Sequence, residues 1–147
     1  MKLLVLNGPS LNLLGVREPE IYGSETYADL EKFIASQAEK LALEVDIYQS
    51  NHEGALIDEI HWARTNHDAI IINPAAFTHT SIAIMDALKG VNLPAVEVHL
   101  SDITKREAFR QHSYVRLACV HTIMGAGFDG YRQAMVWLKQ HLSATQQ

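Results

Sequence analysis

Ala69-Ile70-Ile71-Ile72-Asn73 is a short, uninterrupted apolar run that ends on a side-chain amide. It has no polar alternation, so it reads as a strand covered on both faces, as in parallel sheets flanked by helices. The segments around it support that reading. Upstream, Glu53–Arg64 has a helical pattern that carries Leu56, Ile57 and Ile60 inward. Before it, Glu44–Gln49 alternates through Val45 and Ile47 as a strand. Thr26–Leu41 places Leu30, Phe33, Ile34, Ala38 and Leu41 on one helical face, with Thr26 and Asp29 at capping-box spacing. Lys2–Asn7 is the first strand. Downstream, the pattern predicts a helix over Ser81–Lys89 that stops before Gly90, and a strand over Ala95–Leu100. A short helix is predicted after Thr104, which has capping-box spacing to Glu107, then a strand over Leu117–Ile123 and a last helix over Asp129–Leu142. Five strands alternating with helices predict an α/β chain with a parallel sheet between two helical layers.

The totals narrow the class. The 147 residues fit a single domain spanning 1–147, large enough to bury an ordinary core. Hydrophobic content of 48% with 20% charged residues suits a soluble globular chain. A net charge of −5 argues against a nucleic-acid-binding surface. Cys119 is the single cysteine, so no intrachain disulfide forms, and its apolar setting reads as a small buried hydrophobe. No apolar stretch approaches the roughly 20 residues that span a bilayer. The first residues lack a signal-peptide layout, so a cytoplasmic location is expected.

In a parallel α/β sheet, ligands sit beyond the carboxyl ends of the strands, where the strand order reverses. Polar residues gather at every such end: Gln49 to Glu53, Asn73 to Ser81, His99 to Asp102, and Gly125 to Gly130. The most unusual is Asn7–Glu25, far longer than an ordinary strand-to-helix loop. It brings Asn12, Arg17 and Tyr22 close together in sequence. A neighbouring arginine favours the phenolate and turns a tyrosine into a usable base. The alternative is a surface loop with a packed tyrosine. Gly125, Gly127 and Gly130 match a dinucleotide fingerprint, but no strand follows to complete it, and a tight turn with close helix packing is the better reading. The eight histidines show no compact metal-ligand spacing, although distant ones can converge. His61, His67, His112 and His141 read as exposed.

Four blocks carry a resemblance. They are Leu6–Gly15 with Arg17-Glu18-Pro19 and Tyr22-Gly23; Gln49-Ser50-Asn51 with Glu53-Gly54; Ile72–Ala76 with Thr78–Ser81; and Val96–Ser101 with Arg106-Glu107, Phe109-Arg110 and His112-Ser113. In this order and spacing the chain resembles type II 3-dehydroquinate dehydratase, the small dehydroquinase of the shikimate pathway. Asp102 and Thr104 stand where that family often has Asn and His, and Phe77 where Tyr is common.

The resemblance implies a flavodoxin-like three-layer sandwich with a five-stranded parallel sheet, and a homododecamer built as a tetramer of trimers. It implies a hydro-lyase without cofactor or metal, carrying out anti elimination of water from 3-dehydroquinate through an enolate to 3-dehydroshikimate. By match to the family motifs, Tyr22 is the base, Arg17 lowers its pKa on a mobile lid, and His99 is the general acid oriented by Glu97. Asn12 helps hold the water that stabilises the enolate oxygen. Asn73, His79, Leu100, Ser101 and Arg110 bind substrate, and Asp86 reaches a neighbouring subunit's site.

The chemistry matches those residue types. Elimination from a β-hydroxy ketone needs a base, an oxyanion stabiliser and an acid for the departing hydroxyl. A tyrosine at its reference pKa is only about 0.1% ionised at neutral pH, and each unit of depression is worth about 1.4 kcal/mol. Glu97 lies two residues before His99 on one strand, so both point to the same face. The Ser101 hydroxyl, the Leu100 and Ser101 backbone N–H groups and the Asn73 amide suit a substrate carboxylate. Two other classes remain open. A non-catalytic flavodoxin-like module would bind flavin or accept a phosphoryl group. A Schiff-base enzyme would need a buried lysine, and the lysines fall on predicted surfaces or termini.

Overall fold

The computed structural model describes residues 1–16 and 19–145, without the side chains of Ile21 and Tyr22. Its strands are β1 (Lys2–Asn7), β2 (Glu44–Gln49), β3 (Ala69–Asn73), β4 (Ala95–His99) and β5 (His121–Met124). Its helices are α1 (Pro19–Tyr22), α2 (Tyr27–Lys40), α3 (Glu53–Asn66), α4 (Ile82–Val91) and α5 (Asp129–Thr145). The strands pair in the order β2-β1-β3-β4-β5, all parallel. That is the flavodoxin-like order, whose switch point lies between β1 and β3.

The uninterrupted apolar runs follow from a sheet buried on both sides. Successive strand residues face opposite layers. Leu3, Val5 and Ile71 pack with Leu30 and Ile34 of α2 and Met135 and Leu138 of α5. Leu4, Leu6, Ile70 and Ile72 pack with Leu56 and Ile60 of α3 and Ile84 and Leu88 of α4. The register sets Asn7 opposite both Gln49 and Asn73, so three side-chain amides end neighbouring strands at one edge. Among the described residues, no helix is long and apolar enough to cross a membrane.

The start of α2 forms the expected capping box, with Thr26 and Asp29 each accepting from the other's backbone N–H. Other ends differ from expectation. Helix α4 continues through Gly90 to the buried Val91, and Asn92 takes the left-handed cap at φ 55°. A terminal asparagine in that conformation replaces the glycine stop. After β4 the chain makes short 3-10 turns over Ile103–Lys105 and Ala108–Arg110 instead of a helix starting at Thr104. Asp102 is the capping residue there, accepting from the Thr104 N–H at 3.0 Å. The apolar stretch before β5 forms a 3-10 turn over Val115–Ala118 that leaves Leu117 65% exposed. His67 is buried, not exposed: its Nε2 lies 2.8 Å from the Asp46 carboxylate and its ring meets Trp62 edge-on.

Candidate active site

A cleft opens at the carboxyl ends of β1, β3 and β4, at the switch point, with about 780 Å³ of empty space counting its mouth. Its polar wall includes Asn73, His79, His99, Ser101 and Arg110, with Leu100 beside them. All six were named from sequence as substrate or catalytic residues. A cleft with a few convergent polar groups, Arg110 among them, suits a small, polar, anionic molecule.

Glu97 and His99 form its best-defined pair. Both side chains point from β4 to one face, Glu97 with no exposure and His99 at 5%. His99 Nε2 lies 2.6 Å from Glu97 Oε2. Ser113 Oγ donates to Glu97 Oε1 at 2.9 Å, and Arg116 Nη2 donates to Oε2 at 3.3 Å. Burial pushes the Glu97 carboxyl up, but the bonds from His99 and Ser113 and the Arg116 charge together hold it below the usual carboxylate range. A buried carboxylate with this many donors is a fixed negative charge. It engages Nε2 of His99 and leaves Nδ1 outside that bond.

The glycine-rich turn braces the same strand end. Gly125 and Gly127 have φ of 83° and 58° and donate their N–H groups to the carbonyls of His99 and Leu100. A Cβ on Gly130 would lie 3.3 Å from Val98, so this glycine lets α5 close onto β4. The turn supports the cleft wall, as close packing requires.

Asn73 is held from within. Its Nδ2 donates to the Tyr131 hydroxyl at 3.1 Å, and its Oδ1 accepts from the Ala75 N–H at 3.2 Å. Tyr131 in turn donates to Asn7 Oδ1 at 2.7 Å. The amide therefore has a fixed orientation at the cleft floor. His79 donates its Nδ1 proton to the His112 carbonyl at 2.7 Å, which turns Nε2 away from that bond. Burial, then the charges of Arg110 and His99, hold the His79 pKa below its ordinary value despite that bond, so the ring is neutral at neutral pH. Arg110 pairs with Glu107 and stacks on the exposed Phe109 ring, 5.2 Å from its centroid.

Asn12 is exposed and accepts a long 3.4 Å bond from Gln49 Nε2. The same Gln49 amide donates to Gly8 O and Asn51 Oδ1, each at 3.1 Å. Asn51 Oδ1 also accepts from the Ser10 N–H at 2.9 Å, and Ser10 has a left-handed φ of 69°. This network fixes the loop that carries Asn12 without bringing Asn12 to the cleft wall. Arg17 lies outside the described residues, as does the Tyr22 side chain; the Tyr22 backbone ends α1. Asp86 is exposed on α4 in a separate groove with His61 and Arg64, away from the cleft.

Sequence reasoning missed several contributors. Arg106 lines the cleft beside Arg110 and adds a second cation. Leu13 and Leu14 form an apolar wall from the long loop. Ser113, Arg116 and Tyr131 reach the site residues from behind. Arg106 and Ser113 lie inside the quoted motif blocks and were available to be weighed. Tyr131 and Arg116 give no such signal, because their contacts depend on how α5 and the Val115–Ala118 turn fold back. Among the described residues, no group of three or more His, Cys, Asp or Glu side chains is arranged to hold a metal ion.

The arrangement supplies a positioned proton donor or acceptor at His99, a cationic wall and fixed amide donors, which suits acid–base chemistry on a carboxylate-bearing molecule. Comparison with known proteins points the same way. A family model described as Dehydroquinase class II matches residues 1–139. A 3-dehydroquinate dehydratase of Corynebacterium glutamicum is 54% identical over 134 residues, covering 91% of this chain and 92% of that protein. A catabolic 3-dehydroquinase of Phaeosphaeria nodorum is 52% identical over 140 residues, covering 95% and 92%. The crystal structure of type II dehydroquinase from Butyrivibrio crossotus superposes with a TM-score of 0.93 at 48% identity, covering 95% of this chain and 97% of that one.

Proposed function

The chain belongs to the class II dehydroquinase family, and from that premise we propose that it is a hydro-lyase of the shikimate pathway. It removes water from 3-dehydroquinate to give 3-dehydroshikimate, through an enolate and without a cofactor. The observation that supports this most is the buried Glu97 carboxylate holding His99 in a cleft at the β1/β3 switch point.

In this reading Tyr22, as a phenolate favoured by the positive charge of Arg17, takes the proton next to the ketone. The enolate oxygen is stabilised through a water held with the help of Asn12. His99 gives its proton to the departing hydroxyl, and Glu97 balances the charge of the protonated ring. Ser101, the Leu100 and Ser101 N–H groups and Asn73 take the substrate carboxylate, while His79 and Arg110 take ring hydroxyls. The chain acts in the cytoplasm as a single catalytic domain, in a dodecamer built as a tetramer of trimers. Asp86, which lies away from its own cleft, serves the site of a neighbouring subunit.

The product is a conjugated enone and the substrate is not. Purified protein mixed with 3-dehydroquinate in metal-free buffer is therefore expected to raise an enone absorbance band. A flat trace from folded protein would defeat the proposal. Inactivation by borohydride only in the presence of substrate would favour a Schiff-base lysine instead.

A further inference from the structure

The oxygen that holds His99 is shared. Glu97 Oε2 accepts from His99 at 2.6 Å and from Arg116 Nη2 at 3.3 Å, two donors on one oxygen of a buried carboxylate. Arg116 is tied to the same group a second way. Its backbone N–H donates to Ser113 Oγ at 3.0 Å, and that hydroxyl donates to Glu97 Oε1. The guanidinium is only partly covered, at 39% exposure, yet its Nε is buried with no hydrogen-bond partner. The side chain is held there by its bond to the Glu97 carboxylate and by the backbone tie through Ser113.

We infer that Arg116 is a positioning residue for proton donation: by sharing the Glu97 oxygen that holds His99, it weakens the carboxylate's hold on the protonated ring. This rests on the dehydratase reading of the cleft. Arginine stays charged throughout the working range, so its influence is constant. Among the described residues, the other charged or titratable groups near the pair are His79, Arg106 and Arg110 in the cleft and Cys119 close to Glu97. All stay in place when Arg116 is replaced.

The test is Arg116→Met, which keeps length and removes charge, beside Arg116→Gln and Arg116→Lys. Two readouts are taken: the pH profile of kcat with 3-dehydroquinate, and the titration midpoint of the His99 imidazole by NMR without substrate. R116M and R116Q are expected to move both the alkaline limb and the midpoint upward by about 0.5 to 1 pH unit, with R116K near wild type. Midpoints that stay put in R116M or R116Q, or move equally in R116K, would overturn the inference. If R116M does not fold, R116Q decides alone. Because the midpoint is read without substrate, a wild-type protein inert toward 3-dehydroquinate counts against the dehydratase reading, while an unmoved midpoint counts against the role of Arg116.

Discussion

Tyr131 on α5 and Asn73 at the end of β3 meet through one hydrogen bond, 3.1 Å from amide to hydroxyl, with no exposure at Tyr131. The same hydroxyl donates to Asn7, at the end of β1. One buried phenol therefore holds the two strand ends that flank the switch point. Burial pushes its pKa far up, so it remains a donor at any working pH.

Tyr131→Phe removes that hydroxyl while keeping the ring. It leaves Asn7 Oδ1 without its buried donor and frees Asn73 to turn. A loss of about 1–3 kcal/mol in unfolding free energy is expected by urea titration. A variant as stable as wild type would show that the phenol is not a structural tie.

Gly8 sits against β3's exit. A Cβ there would lie 2.5 Å from the Pro74 carbonyl oxygen, and the Gly8 N–H donates to Asn73 O at 2.8 Å. Backbone cannot yield as a flexible side chain can. Gly8→Ala is expected to lower stability by about 1–3 kcal/mol, as overpacking does, and to reduce kcat/KM by displacing the cleft floor. Thermal unfolding and steady-state rates check both.

Glu97→Gln keeps shape and removes the charge behind His99. The expected result is a fall in kcat of about a hundredfold or more with KM little changed, since the lost interaction matters most when the ring carries a proton. A kcat within a few-fold of wild type would mean that Glu97 only packs.

Acid stability gives a test far from the cleft. The Asp46 carboxyl is held below its ordinary value, first by the bond from His67 against the opposing push of burial, then by Lys2. A depressed folded-state value means the contribution is fully present above the unfolded value, about 3.9 for aspartate, and lost as pH falls through the folded one. The stability gap between wild type and Asp46→Asn should thus shrink as pH falls below about 4. A gap that widens on acidification would contradict the sign.

Cys119 should be inert while the chain is folded. Burial, and then the charge of Glu97, push its thiol up to about 12. The thiolate is the reactive form, so alkylation at about pH 8 is expected only after denaturant is added. Rapid labelling of folded protein would contradict the raised thiol pKa.

Much of this was legible in the chain because local pattern and tertiary role agree. The run at Ala69–Asn73 reads as a doubly covered strand, and β3 has those bounds with each residue buried. The Thr26 capping box needs only neighbours in sequence, and it forms. The motif blocks put six named residues into one cleft. What was not legible depends on contacts far apart in sequence. Tyr131 and Asn7 are separated by 124 positions, and nothing in either segment announces the pairing. His67 looks like a turn residue until Asp46 of β2 is brought beside it. Gly90 resembles a helix stop, but burial of Val91 draws the helix one turn edge further and Asn92 takes the cap. Leu117 resembles a strand residue in an apolar run, yet it is exposed on a 3-10 turn before β5.

The measurement that bears most directly on the account is turnover of 3-dehydroquinate by wild type and Tyr22→Phe, followed by enone absorbance, with circular dichroism to confirm equal folding. A growing enone band is expected with wild type and a loss of at least about a hundredfold with the variant, since Tyr22 is the proposed base. A Tyr22→Phe protein that turns over at a near-normal rate would contradict it and move the base to another group in the cleft.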